Sequence, residues 1–498
     1  MSRSHRLLAA VLGLGLGLST TCLGLPRAQA APNCAAGEGV AGDLNGDGLA
    51  DVVIGVPAYD NERGAVDILF SDGERRLLKA SDLGLPSSKG DRFGQSVALG
   101  DVNDDGCADL AIGAPGRSSS KGAAHLVKGS AGNTLTLMTS FTGSAAHGSF
   151  GAQVLLLTPQ KQTASGLVNA GQQLVVSAPT ADDGKKWEAG RVEVLPLTNG
   201  FALTGSRTVI TQNSPGIPGS SENGDRFGTA LAGQGRTIVI GTPNEAVGKR
   251  TDAGSVTLLS ATAAKPTTFR GVAVTQNSPG VPGTAENDDL FGAAVAFRDN
   301  YVLVGAPGEK IGSAYFAGQV HVLNFNPVTR KFRSLRAVHQ NSAGIPGSNH
   351  TGDWFGSSVA LGVNTLDQLT AIVGIPGKAV DKQFNAGAVL MFRANRTGGA
   401  VKVFRQGKDG IAGKPEARDG FGSAVGVLNG NLNDGEAMRD GVVIGAPEED
   451  IGSAEDAGSV TYSRTLTSWW SLVLEDTGSA TPPADTLFGE TVATAAAA

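Results

Sequence analysis

The sequence is poor in the residues from which most enzyme sites and nucleic-acid surfaces are built. Aromatics make up 5% of its 498 residues, histidine occurs six times, and the net charge is −6 with no large basic stretch. That charge pattern speaks against nucleic acid or an anionic membrane as the main partner. Beyond the N-terminal segment, no apolar run approaches the ~20 residues of a spanning helix. There is no Gly-x-Ser-x-Gly elbow, no His-Glu-x-x-His pair and no phosphate loop. His125, His147, His321, His339 and His350 are scattered without ligand-like spacing. No segment sustains a 3.6-residue apolar period, so helix should be minor.

Glycine is abundant instead. The chain has 72 glycines, roughly twice the usual share. They do not recur every third residue, which excludes collagen. Hydrophobic residues at 40% argue against wholesale disorder. The glycine excess points to tight turns between many short strands.

The N-terminus has the pattern of an export signal. Arg3 and Arg6 precede an apolar run from Leu7 to Leu18, and Ala28-Gln29-Ala30 is a small-x-small cleavage site. Residues 1–30 are therefore expected to be a signal peptide, and 31–498 a single secreted domain. Cys22 follows Ser19-Thr20-Thr21, a poor lipoprotein box. Cys34 and Cys107 can pair outside the cell or remain free thiols, and both readings stay open.

Internal repeats dominate the remainder. Phe-Gly recurs at Phe93, Phe150, Phe227, Phe291, Phe355, Phe421 and Phe488. A Gly-x-Pro triplet ends at Pro57, Pro115, Pro179, Pro243, Pro307, Pro376 and Pro447, with Ser177 once replacing the glycine. Each unit reads as four β-branched strands: one after Phe-Gly, one before the Pro, one after an Ala-Gly or similar pair, and a weaker fourth. Seven such units predict an all-β fold, a seven-bladed β-propeller of four-stranded blades. The Phe-Gly and Gly-Ala-Pro signatures resemble the FG-GAP repeat family, seen in the N-terminal propeller of integrin α chains. That resemblance implies the same seven-bladed ring. The first Gly-x-Pro has no Phe-Gly before it, and the last Phe-Gly has no Gly-x-Pro after it. Phe488 to Thr494 is therefore expected to return and complete the first blade. The rival reading makes residues 37–41 a degenerate first strand and leaves the C-terminus as a spare edge.

Two loops have the chemistry of calcium sites. Asp43, Asn45, Asp47, Gly48, Leu49 and Asp51 follow the pattern Asp-x-Asn-x-Asp-Gly-x-x-Asp, as do Asp101, Asn103, Asp105, Gly106, Cys107 and Asp109. Calcium takes six to eight oxygens, and this spacing wraps side-chain oxygens from positions one, three, five and nine around a tight turn. Position seven, Leu49 or Cys107, offers its carbonyl. Two structural Ca2+ ions are expected. Residues 431–440 are similar but out of register, with Gly435 where an acid is needed, and are not counted.

The opposite loops vary more. Aligned on the following Ala-Gly, one position carries Trp187, Thr251, Tyr315, Phe384 and Glu455. Three large aromatics at equivalent positions in exposed loops of a rigid scaffold are contact candidates, although capping the local core is the favoured reading. In the integrin relatives, partners are read mainly on the face opposite the calcium loops. The Gln-Asn-Ser-Pro-Gly-Ile-Pro-Gly segment at 212–219 recurs at 276–283 and 340–347 and degenerates at 406–413, where its Pro and Gly should set a rigid turn. The resulting expectation is a secreted, monomeric binding or adhesion module for an extracellular protein or surface glycan. A glycan-binding propeller and an esterase or phosphodiesterase with a loop-built site are the alternatives, and an enzyme is the less favoured class.

Overall fold

The computed structural model describes Cys34 and residues 40–163, 166–169, 171–262, 264–364, 368–429, 440–474 and 483–495. The signal segment 1–30 and all of 431–440 except Asp440 lie outside these residues. Seven blades of four antiparallel strands follow one another along the chain, one of them extended by a fifth, parallel strand. Blade four is typical: Ala230–Gln234, Thr237–Thr242, Ser255–Thr262 and Lys265–Val274 pair in sequence order. Second strands such as Val52–Val56 and Asp109–Ala114 are buried on both faces. Outer strands alternate, as Thr134–Thr142 does, because one face meets water. Blade three adds a hairpin, Gln160–Thr163 with Gly166–Asn169, between its first two strands.

The first strands of all seven blades line one central channel, from Gln95–Val97 of blade two round to Glu490–Val492. The hydrophobic core is divided among the junctions between blades. Val53 and Val66 of blade one pack with Val97 and Leu110 of blade two, and Val239 and Val256 of blade four with Val295 and Val302 of blade five. The last junction joins Val443 and Val460 of blade seven to Val52 and Ile54 of blade one, with Phe488 buried between them.

The two signatures hold these junctions together. Phe291 donates its amide to Ala253 O of the preceding blade at 3.1 Å, and Gly292 donates to Gly305 O of its own blade at 2.8 Å. Phe227, Phe355, Phe421 and Phe488 repeat the first bond with Ala189, Ala317, Ala386 and Ala457. The Gly-x-Pro glycine then lies against the next repeat's Phe-Gly backbone. A Cβ at Gly241, Gly305 or Gly374 would overlap the carbonyl oxygen of Gly292, Gly356 or Gly422.

The ring closes through the chain ends. Thr491–Val492 is the first strand of blade one, with Ile54 opposite Val492 and Gly55 opposite Thr491. Ala493 N donates to Val53 O at 2.9 Å. The chain continues as Thr494–Ala495, pairing parallel with Ala98 and Leu99 of blade two, an extension the repeat pattern does not foretell.

Phe488 has 0% exposure, and truncating such a side chain costs about 3–5 kcal/mol. At roughly 2–4 °C per kcal/mol in a large domain, Phe488→Ala should lower the melting temperature by about 6–20 °C. Deleting residues 485–498 should lower it further. An unchanged melting curve for the truncated chain would remove the closing role of this segment.

Candidate functional site

The two acid-rich loops end directly at second strands: Asp51 precedes Val52–Val56, and Asp109 opens Asp109–Ala114. The loops after Pro57 and Pro115 leave the other ends of these strands. The acid loops and the post-Pro loops therefore occupy opposite ends of the propeller.

In the first loop, Asp43 Oδ1 accepts the amides of Asn45, Gly46 and Asp47 at 3.2, 2.6 and 3.2 Å, and its Oδ2 that of Gly48 at 2.7 Å. Asn45 Oδ1 accepts the Asp47 amide at 3.1 Å, and Asp47 Oδ1 the Leu49 amide at 3.0 Å. Asp51 clamps both ends of the unit, taking Leu44 N on Oδ2 and Ser71 N on Oδ1, each at 2.8 Å. The second loop repeats the plan. Asp101 accepts from Asp105 N and Gly106 N, Asn103 Oδ1 from Asp105 N, Asp105 Oδ1 from Cys107 N, and Asp109 from Val102 N and Gly129 N. All ten residues of the expected donor sets, counting Leu49 and Cys107 for their carbonyls, thus lie in two equivalent turns. At position nine each oxygen of Asp51 and Asp109 accepts one amide. One lone pair per oxygen remains.

The loops concentrate negative charge out of water. Asp43, Asp51 and Asp109 are buried. Burial, then the neighbouring Asp43 and Asp47, pushes the Asp51 carboxyl up to about 8 against the pull of its two amides. Asp109 is pushed up to about 7, again mainly by burial. Asp43 and Asp101 are raised for the same reason. At Asp105 burial is outweighed by Lys128, whose Nζ lies 2.8 Å from its Oδ2, and by the Cys107 amide, so its carboxyl lies below the usual range. Donors that are all carboxylate, amide and carbonyl oxygens suit a hard cation.

Cys107 forms a disulfide with Cys34, with Cα atoms 5.0 Å apart, so the open choice between free and paired thiols resolves to a bond. Asp105 lies beside the two sulfurs, but sulfurs joined to each other are not thiolate ligands. The bond ties the start of the domain to the second acid loop.

At the other end, Trp187, Tyr315 and Phe384 are 56, 56 and 76% exposed, so they do not cap the local core. Each directly follows a tight loop closed by an isolated bridge: Asp183 with Lys186, Ile311 with Ala314, Val380 with Gln383. Their carbonyls accept equivalent amides, from Gly224, Gly352 and Arg418. Thr251 and Glu455 occupy the same position, accepting from Asp288 and Asp485. Trp187 borders a groove shared with Glu222, Asp225 and Asn244, and Lys310 Nζ lies 4.3 Å from the Tyr315 ring centroid. The remaining tryptophans pack on other rings: Trp354 on Phe316, Trp469 on Phe404, Trp470 on Tyr462. His125 and His321 are buried beside Phe93 and Phe291, and burial holds them down to about 4 and about 3.

The Gln-Asn-Ser segments are the turns expected. Ile217, Val281 and Ile345 donate to Ser214, Ser278 and Ser342, with Gly216, Gly280 and Gly344 at positive φ. Sequence reading missed the opening glutamine of each, which is buried against an acid. Its constant spacing from the aspartate before Phe-Gly, as in Gln212 to Asp225, Gln276 to Asp289 and Gln340 to Asp353, was the available signal.

The FG-GAP repeat family matches residues 36–69 and 93–127, which contain the acid loops and second strands of blades one and two. The chain therefore carries FG-GAP repeats over those residues, and it is similar to integrin α chains. Integrin alpha-PS5 of Drosophila melanogaster is 44% identical over 87 residues, 15% of this chain and 8% of that one. Integrin alpha-4 of Xenopus laevis is 37% identical over 98 residues, 18% of this chain and 9% of that one. Phosphatidylinositol-glycan-specific phospholipase D of Mus musculus is 31% identical over 162 residues, 29% of this chain and 18% of that protein. The match spans less than a fifth of the length of each of these relatives. Among solved structures, a periplasmic gluconolactonase of Pseudomonas aeruginosa aligns with 88% of this chain and 96% of its own at a TM-score of 0.44 and 12% identity. A likeness that distant carries no functional argument.

The raised carboxyls make the cation-free protein pH-dependent. An acid whose folded pKa lies above its unfolded value binds more protons folded than unfolded, so stability falls as pH rises through that interval. For Asp51 and Asp109 the interval runs from 3.8 to about 8 and about 7. In the presence of a chelator, the melting temperature should therefore fall between pH 5 and pH 8, and less steeply in Asp51→Asn/Asp109→Asn. A slope unchanged by that pair of substitutions would contradict the assignment.

Proposed function

We propose that this chain is a secreted, calcium-stabilised propeller that binds an extracellular protein or cell-surface partner through the loops bearing Trp187, Tyr315 and Phe384. The observation that carries this reading is the exposure of three large aromatics at one repeated loop position. Burying such surface is unfavourable to leave undone, and rigid aromatic anchors are the usual hot spots of protein contacts. Export is supported by the Cys34–Cys107 bond, since disulfides persist outside the cytosol, and by similarity to integrin α chains. A glycan platform is less favoured, because the tryptophans other than Trp187 pack on neighbouring rings. Hydrolysis has no support from the histidines, of which His125 and His321 are buried among aromatic side chains.

Calcium fits the two acid loops as a fastener. The all-oxygen donors match it, and a divalent charge relieves carboxylates that burial otherwise forces toward protonation. With Kd about 10⁻⁴ M and free calcium about 1 mM, each site would add about 1.4 kcal/mol. Blades four and five make the same connection with short turns between paired strands, Gln234 to Thr237 and Arg298 to Tyr301. The metal's role is therefore structural.

Binding of the labelled protein to cells of the producing organism tests the reading. Saturable binding should weaken at least roughly tenfold in Trp187→Ala/Tyr315→Ala/Phe384→Ala, the scale of a hot-spot loss, with an unchanged circular dichroism spectrum. Equal binding by this variant would move the site elsewhere on the ring.

A further inference from the structure

Among the described residues the propeller repeats one buried corner on five blades, and its charged residue changes sign between them. Each begins with an aspartate two residues before Phe-Gly whose Oδ2 accepts the amide three residues upstream. These pairs are Asp91 with Ser88, Asp225 with Glu222, Asp289 with Glu286, Asp353 with His350 and Asp419 with Glu416. The second residue after each Gly-x-Pro reaches the same corner, and there the copies diverge.

On two blades that residue is basic. Lys378 Nζ lies 2.7 Å from Ser348 O and 3.1 Å from Asp353 Oδ2. Arg117 Nη1 lies 2.5 Å from Pro86 O and 3.3 Å from Asp91 Oδ2. Ser348 and Pro86 both stand five residues before the aspartate. The two positive heads therefore sit in the same cradle of one carbonyl and one carboxylate.

On three blades the residue is instead acidic: Glu245, Glu309 and Glu449. Their backbone is placed like that of Lys378, each amide donating to the carbonyl three residues back. The cradle then holds two carboxylates, which Lys186 faces from a distance at Asp225. Each glutamate accepts Nε2 of a buried glutamine, Gln212, Gln276 or Gln406. These glutamines are 3, 1 and 3% exposed, and Oε1 of each has no partner. An unpaired buried amide oxygen is costly unless something donates to it or coordinates it.

We propose that the corners formed by Asp225, Glu245 and Gln212, by Asp289, Glu309 and Gln276, and by Asp419, Glu449 and Gln406 each bind a hard divalent cation in the place where Lys378 and Arg117 put their own charge. Two carboxylates match a double positive charge. The unpartnered glutamine oxygen and the carbonyl five residues before the aspartate complete an all-oxygen set of the kind calcium takes, with water filling the rest. The electrostatics agree: burial, with the paired acid adding, pushes Glu245, Glu309 and Glu449 up to about 7, and Asp225, Asp289 and Asp419 are raised to about 6 chiefly by burial. These corners lie at the aromatic end, away from the two acid loops, and Asp225 lines the groove beside Trp187.

The test is to count bound Ca2+ on the whole chain by equilibrium dialysis and native mass spectrometry at pH 8. Glu245→Lys/Glu309→Lys/Glu449→Lys installs the residue that blade six carries. It should fold, lose three ions relative to the parent, and melt in chelator at or above the parent's temperature. Glu245→Gln/Glu309→Gln/Glu449→Gln should lose the same three ions, which keeps the count readable if the lysine variant does not fold. Asp43→Asn/Asp101→Asn, in the acid loops, should leave those three in place, so the two sets of sites report separately. An ion count that neither glutamate triple lowers would overturn the proposal and leave the corners as protonated carboxyl pairs.

Discussion

The molecule depends on a contact that has no side chain in it. Where one blade meets the next, the backbone of a Phe-Gly pair lies directly on the glycine of a Gly-x-Pro, as Gly292 lies on Gly241 and Gly356 on Gly305. At these glycines even a methyl group would overlap a carbonyl oxygen, and blade three, with Ser177 in place of the glycine, is the exception. The approach lets one short segment serve two blades, with Phe291 bonded to Ala253 behind it and Gly292 to Gly305 within its own sheet. Phenylalanine then fills the wedge between sheets, buried at every junction from Phe93 to Phe488. A repeat of this kind cannot bury its own faces, so the ring must close. The only unit able to close it is another Phe-Gly, and the chain supplies one at its C-terminal end.

Charge is handled by the same repetition. A seven-fold scaffold offers the same corner several times, and this sequence fills it with Arg117, Glu245, Glu309, Lys378 or Glu449. Comparison among blades thus acts as a substitution series within one molecule. A similar exchange occurs at the other end. Asp440, near the start of the second strand of blade seven, takes Arg298 Nη1 at 2.7 Å and Val363 N at 2.6 Å. Among the described residues the hydrogen bonds to Asp51 and Asp109 come from backbone amides. A buried carboxylate needs a counter-charge or a proton, and the chain meets that need with arginine or lysine at some positions.

Much of this was legible in the sequence because the signatures are backbone requirements, and backbone requirements restrict residue type severely. Gly-x-Pro and Phe-Gly count the blades, and the orphan pair at Phe488 locates the closure. Features resting on side-chain identity at variable positions were harder to read. The pairing of Cys34 with Cys107 depends on where the N-terminal arm lies, which no repeat specifies. The blade-three hairpin at 160–169 and the parallel pairing of Thr494–Ala495 are insertions into the pattern. The opening glutamines looked like part of a surface turn, because a turn motif conceals which of its residues points inward.

The division between the two ends follows from strand direction. Loops entering the second strands carry the acid-rich turns, where sequence is tightly constrained by Asp43-type amide capture. Loops leaving those strands are held by the bridge, by the amide that reaches back to the variable residue's carbonyl, and by asparagine side chains that accept the amides of Trp187 and Thr251. Because these bonds use only the backbone of the variable residue, its side chain is not fixed by them. Trp187, Thr251, Tyr315, Phe384 and Glu455 can therefore differ without cost to the ring. Large apolar groups left exposed at one repeated position, where threonine and glutamate also occur, are the ground for the partner contact proposed above.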